Sequence, residues 1–253
     1  LSNYSKDYIS LEMWHETNAQ KAGIIKRETN FPNSTSELVL SGPHFFVGRP
    51  FYNTPQAISN TNRSYDVLDL ESIPDNYLPR TNYVPACDAE EYLRRTPKVP
   101  WIDEAELAAW QANGANPAEK PEPCPVTDYY RFVHRRQLSQ SGERTFINAV
   151  VPKGSATINT CISTAFKNEK SLLNFAACCH SVVYDFYLKS TGRGDLYAQG
   201  LTAFPYLENE LFVLYSLVLN SLSKDYSDLW NQSWNAASRA GFCVLVAHLP
   251  FAS

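Results

Sequence analysis

The stretch TFINAVVPKGSATINTCISTAF (residues 145–166), followed by LLNFAACCHSVVYDFYLKS (residues 172–190), decides the fold class. Its first part is dense in β-branched and aromatic residues and predicts a strand over 145–152. Pro152, with no N–H to give to a ladder, ends it. A second strand is expected over 157–166. The run at 172–190 holds neither Gly nor Pro and is largely apolar, the pattern of one buried helix. Strands and a core helix in so short a span give a mixed class, α/β in the sense of α+β, with a mixed sheet and packed helices.

Toward the C-terminus, TGRGD (191–195) reads as a helix-ending turn. Residues 208–223 predict an amphipathic helix with Leu211, Leu214, Tyr215, Val218, Leu219 and Leu222 on one stripe. Toward the N-terminus, apolar positions over 127–137 have helix-compatible spacing. Before them, ANPAEKPEPCP (115–125) has the composition of a stiff linker. Thirteen of the 16 prolines lie at or before Pro125, so the first half should be loop-rich with short strands. Strands are expected around 37–41 and 44–48 on either side of a Gly-Pro turn, and an irregular loop over 70–82. A short helix over 103–112 should be capped by Asp103 and ended by Asn113-Gly114. The chain is accordingly divided into a loop-rich part, 1–125, and an α/β core with a C-terminal amphipathic helix, 126–253, expected to form one composite unit.

Composition excludes several classes. No run of 18 apolar residues spans a membrane. Hydrophobic content of 44% with a net charge of −4 is not that of a disordered chain. Six cysteines without a CxxC pair, and no HExxH, offer no zinc spacing; reduced thiols in a cytoplasmic protein are expected. The chain begins at Leu1 without a leader pattern and is expected to be a piece of something longer. There is no GxSxG elbow, no phosphate-binding P-loop and no GxGxxG after a strand. The histidines are scattered, and the carboxylate pairs Glu90/Glu91 and Asp103/Glu104 lie in acidic segments, so no catalytic residue is assigned.

Charge is unevenly spread. Residues 66–127 hold 5 Lys/Arg against 12 Asp/Glu, whereas 128–200 hold 9 against 5. A basic third within an acidic whole fits one face meeting a polyanion. The stretch YYRFVHRRQLSQSGERT (129–145) places Arg131, Arg135, Arg136 and Arg144 close together; on a helix, Arg131 and Arg135 share a face. Arg grips phosphate or the guanine edge with a planar fork. Solvated faces and internal salt bridges are the competing reading of the same residues.

Taken in order, GPHFFVGRPFYNTP (42–55), YDVLDLESIPDNYLPRTNY (65–83), YYRFVHRR (129–136), ERTFINAVVPKG (143–154) and SVVYDFYLKSTGRGDL…FPYL (181–207) resemble the C-terminal part of bacterial restriction–modification methylases. These are N6-adenine DNA methyltransferases of the type IIG, BREX and DISARM kinds. The resemblance covers about residues 10–225 and implies a target-recognition-domain-like fold that reads double-stranded DNA. It implies that the S-adenosylmethionine-binding catalytic domain lies in the same parent chain, with no cofactor in this part. The family's NPPY or NPPF tetrapeptide is absent, and NTP at 53–55 does not replace it. The DNA-contacting candidates that follow are Arg131, Arg135, Arg136, Arg144, Lys153, Asn159, Lys189 and Arg193, with Arg49, Arg80 and Asn82 from the first half. Two other functions compete. One is a self-contained nuclease or hydrolase, for which PDNYLPR (74–80) lacks an ExK partner. The other is a protein–protein scaffold docking through the 211–222 stripe.

Overall fold

The structure is a computed structural model and describes residues 1, 6–46, 53–58, 61 and 64–234. In chain order the elements are β1 (Tyr8–Leu11), α1 (Glu16–Lys21), β2 (Ile25–Asn30), β3 (Val39–Leu40), β4 (Asn53–Pro55), β5 (Tyr65–Val67), β6 (Thr81–Pro85), α2 (Ala89–Arg95), α3 (Glu104–Ala112), β7 (Arg131–Arg135), β8 (Asn148–Val151), β9 (Ala156–Thr157), β10 (Cys161–Phe166), α4 (Glu169–His180), α5 (Val182–Ser190), α6 (Glu210–Asn220) and α7 (Ser227–Ser233). The fold is mixed α/β. Its largest sheet has the order β1-β10-β7-β8, antiparallel throughout, and β2-β6, β3-β9 and β4-β5 form two-stranded ladders. The β1-β10 ladder and the parallel β3-β9 pair join strands from either side of the proline-rich 115–125 segment.

α4 covers one face of the large sheet. Its Leu172, Leu173, Phe175, Ala176 and Cys179 are buried, and the Phe175 ring meets Phe132 of β7 at 5.0 Å and Phe166 of β10 at 5.4 Å. Each of these Leu and Phe side chains removed from water contributes roughly 1.5–3 kcal/mol. α3 forms as expected: Asp103 caps it through the Ala105 and Glu106 N–H groups, and Asn113 follows its last residue. α5 ends on Thr191, followed by Gly192 at φ +64°, the left-handed residue a helix stop uses.

Four expectations are corrected. Residues 127–137 are not a helix. A 3-10 turn at Val126–Asp128 leads into β7, whose first four side chains, Arg131–His134, are buried on both faces of the sheet. A strand buried on both sides loses its period-two pattern, which is why its apolar positions could pass for helical ones. The run at 172–190 is two helices, because Ser181 is extended. Its hydroxyl donates to the Cys178 carbonyl at 2.7 Å and accepts from the Tyr184 N–H at 3.3 Å, ending α4 and capping α5 with one side chain. Where a strand was expected from His44, a 3-10 turn at Gly42–His44 stands; residues 47–48 lie outside the described residues. Finally, α6 turns a different stripe inward. Val213, Leu214, Ser216, Leu217 and Asn220 are buried, while Leu211, Tyr215, Val218 and Leu219 are exposed and Leu222 is half-buried. The inward polar residues are hydrogen-bonded to the backbone: the Ser216 hydroxyl donates to the Leu173 carbonyl, and the Asn220 amide oxygen accepts the Val150 N–H at 2.8 Å.

Candidate functional site

The C-terminal end of β7 is fastened on both sides. The Arg135 N–H donates to the Ile147 carbonyl at 3.0 Å and the Arg136 N–H to the Thr160 carbonyl at 2.9 Å. Beyond the strand, the Leu138 N–H donates to the Gly194 carbonyl and the Leu196 N–H to the Arg136 carbonyl, so residues 136–138 and 194–196 run side by side. The Gly42–His44 turn lies next to this strand end, its Gly42 N–H donating to the Thr160 hydroxyl at 2.9 Å. His44 holds the turn in place. Its Nδ1 accepts the Ser41 N–H at 3.0 Å and its Nε2–H donates to the Arg80 carbonyl at 3.0 Å. Burial pushes this imidazole down to about 4, keeping it neutral with one donor and one acceptor. The Asn53 amide of β4 donates to the Pro43 carbonyl at 3.1 Å, and β5 pairs with β4.

Between these pieces lies an open cleft of about 540 Å³, lined by Phe46, Asn53, Tyr65, Arg135, Gln137 and Thr160, among others. Its walls come from three separate parts of the chain. One cation (Arg135), two amides (Asn53, Gln137), two hydroxyls (Tyr65, Thr160) and three aromatic rings (Phe45, Phe46, Tyr65) line a common space, a set suited to a flat ligand carrying several acceptors and donors. The Tyr65 hydroxyl is anchored by the Asn82 amide at 3.1 Å.

The sequence candidates divide by their surroundings. Arg135 lines the cleft and makes no ion pair among the described residues. Arg136 beside it lies 3.4 Å from both Glu12 and Asp195 and stacks over the Tyr197 ring at 5.5 Å. Arg193 is exposed on the neighbouring loop, and its carbonyl receives the Gln140 amide. Lys189 is exposed at the end of α5, its ammonium 3.1 Å from the Gly142 carbonyl. Lys153 sits at the other end of the sheet, over the Tyr130 ring at 5.1 Å.

The remaining candidates are turned to structural tasks. Arg131 is a correction: it is fully buried, and its guanidinium donates to the Ser155 carbonyl and hydroxyl, the Ser163 hydroxyl, the Met13 sulfur and the Tyr129 carbonyl. Burial lowers its pKa to about 10. No atom of it is placed to meet a polyanion, and because β7 is a strand the helix face it was to share with Arg135 does not exist. Asn82 is also buried, bonded to Thr29 and Tyr65. Asn159 accepts the Glu16 N–H at the start of α1. Arg144 faces buried Asp185 at 3.4 Å and donates to the His180 carbonyl. Arg80 lies 3.6 Å from Asp66 and over the Phe31 ring at 4.8 Å. Arg49 lies outside the described residues.

Charge counting missed Asn53, Gln137, Phe46 and Tyr65, which are uncharged. The concentration of aromatics and Asn around the Gly-Pro turn in GPHFFVGRPFYNTP was the available signal. A second cleft, of about 600 Å³, lies between β2, α2 and the Thr127–Gly154 contact, with Lys26, Glu37 and Asp128 on its walls. Among the described residues, no three His, Cys, Asp or Glu are grouped to hold a metal, the cysteines are unpaired thiols, and no helix is long and apolar enough to cross a membrane. No family model and no curated protein matches the chain.

Proposed function

We propose that this chain is a sequence-reading DNA module that directs adenine-N6 methylation by a longer parent enzyme. It works in the cytoplasm, contacting double-stranded DNA itself and leaving S-adenosylmethionine binding and methyl transfer to the parent's catalytic domain. Its own role is recognition, not catalysis. The observation that carries this reading is the cleft at the end of β7, where Arg135, Gln137 and Asn53 stand beside Phe46 and Tyr65. Arg, Asn and Gln are the side chains that pair bidentately with purine edges. Exposed Lys189, at the end of α5, and Arg193, just before the 194–196 segment that runs beside the strand end, supply phosphate contacts.

The structure narrows the electrostatic part of the proposal. With Arg131 buried and Arg136 and Arg144 facing carboxylates, few cations remain for phosphates. Binding of the chain to duplex DNA, followed by fluorescence anisotropy at 50–300 mM salt, should therefore show a shallow dependence, with log K falling against log salt with a slope of about −2 to −4. Mapping methylated adenines in a host carrying the parent, with and without this region, should show loss or change of the modified sequence. Unaltered methylation together with no measurable DNA binding would end the reading.

A further inference from the structure

Arg135 differs from every other arginine named above. It has no carboxylate partner among the described residues, it is half-buried at a strand end whose backbone is hydrogen-bonded on both sides, and it lines a concave space. Its companions there discriminate between ligand types. A phosphate-binding site gathers several cations or a row of N–H groups. Here a single cation is joined by amides, hydroxyls and three aromatic rings, surroundings that match a planar heterocycle with its own donors and acceptors. Arg donates only, with a fixed fork. In the major groove only guanine turns two adjacent acceptors, O6 and N7, toward such a fork; adenine offers one acceptor beside a donor.

We infer that Arg135 is a specificity-determining residue that reads a guanine by donating from its guanidinium to O6 and N7. This rests on the DNA-module reading above. Arg136, one residue on, cannot replace it: its guanidinium is shared between Glu12 and Asp195 and lies on Tyr197. The fork's position is set by the Arg135–Ile147 and Arg136–Thr160 backbone bonds, and its cleft by the His44 anchor of the Gly42–His44 turn.

The test uses the full chain. A pool of duplexes with a randomised centre is selected for binding and sequenced, first with the wild type and then with Arg135→Ala and Arg135→Lys, each checked for a native far-UV spectrum and melting transition. The wild type should enrich sequences with one invariant guanine. Arg135→Ala should lose preference at that base pair alone, by about 10-fold or more, and Arg135→Lys should restore it only in part. A chemical arm does not depend on the variants folding. Replacing the invariant guanine by 7-deazaguanine, which lacks the N7 acceptor, should weaken wild-type binding by a similar factor and leave Arg135→Ala unaffected. If the wild type enriches a motif that Arg135→Ala still reads unchanged, or if Arg135→Ala weakens all sequences equally and flattens the salt dependence, Arg135 contacts phosphate or nothing; the inference falls and the module survives. If the wild type enriches no sequence, the module reading falls and takes the inference with it.

Discussion

Arg131→Met separates the structural arginine from the reading one. The native guanidinium sits inside the sheet and joins four segments: Met13 after β1, Tyr129 before β7, Ser155 after β8 and Ser163 of β10. Hydrogen bonds from a charged donor contribute roughly 1.5–3 kcal/mol each, set against the cost of burying the cation without a carboxylate, so the sum is far smaller than the five contacts imply. Methionine fills most of the space but leaves the Ser155 carbonyl and the Ser163 hydroxyl without that donor, at roughly 1–3 kcal/mol for each group left unpaired. The expected loss is about 3 kcal/mol for Arg131→Met and about 5 kcal/mol for Arg131→Ala, which adds a cavity. Urea denaturation at neutral pH measures both. Below the unfolding transition, DNA affinity and its salt slope should match the wild type, because no atom of Arg131 reaches solvent. A variant as stable as the wild type, or one that is folded yet loses a phosphate contact in the salt slope, would refute the reasoning.

Acid should weaken the fold earlier than carboxylates alone would. His44, His134 and His180 are each pushed down to about 4 by burial, with the charge of Arg144 adding to the effect at His180. A depressed folded pKa means that the unfolded chain takes up protons first. The stability these residues contribute is therefore complete above pH 6.5 and is lost as pH falls toward 4. From pH 7.5 to 5.5 the loss is about 1.4 kcal/mol per imidazole, ~4 kcal/mol together, read as a falling urea midpoint; an unchanged midpoint would mean that the folded protein holds these rings charged. Asp185→Ala should cost about 3–5 kcal/mol, since the buried carboxylate accepts the Thr145 N–H at 2.8 Å and the Phe146 N–H at 2.6 Å and faces Arg144; a loss under 1 kcal/mol in the same denaturation assay would show those bonds to be replaced by water. Gly154→Ala should destabilise by about 1–3 kcal/mol, because Gly154 lies at φ +84° and an added Cβ would come within 2.6 Å of the Thr35 hydroxyl; a melting temperature equal to the wild type would show that the turn relaxes.

Legibility followed the range of the forces involved. The strand of TFINAVVP and the Asp103 cap depend on neighbours within a few residues, and both were readable from spacing and residue type. Ser181 was not: a serine inside an apolar run looks like any helical polar residue. The bend itself is capped locally by the Ser181 hydroxyl, but the residues on either side of it are fixed by distant partners: His180 is held by Asn148 and Asn220, and Asp185, four residues past Ser181, binds the backbone before β8. The arginines carry the same lesson into function. Their density in residues 129–145 was visible, but the fate of each was set by partners far along the chain: Met13 and Ser163 for Arg131, Glu12 and Asp195 for Arg136, Asp185 for Arg144. Local charge thus overstated the reach toward a polyanion. The cleft was hidden for the converse reason, because Asn53, Gln137, Phe46 and Tyr65 carry no charge and line one space with Arg135 only when β4, β5 and the Gly42–His44 turn, held to Thr160, come together near the end of β7. Removing a carboxylate should therefore unmask an arginine more effectively than adding one. Asp195→Asn leaves Arg136 with Glu12 alone, and should steepen the salt slope of DNA binding by about one without altering which sequence is selected. A changed sequence preference in that variant would mean that Arg136, rather than Arg135, touches the bases.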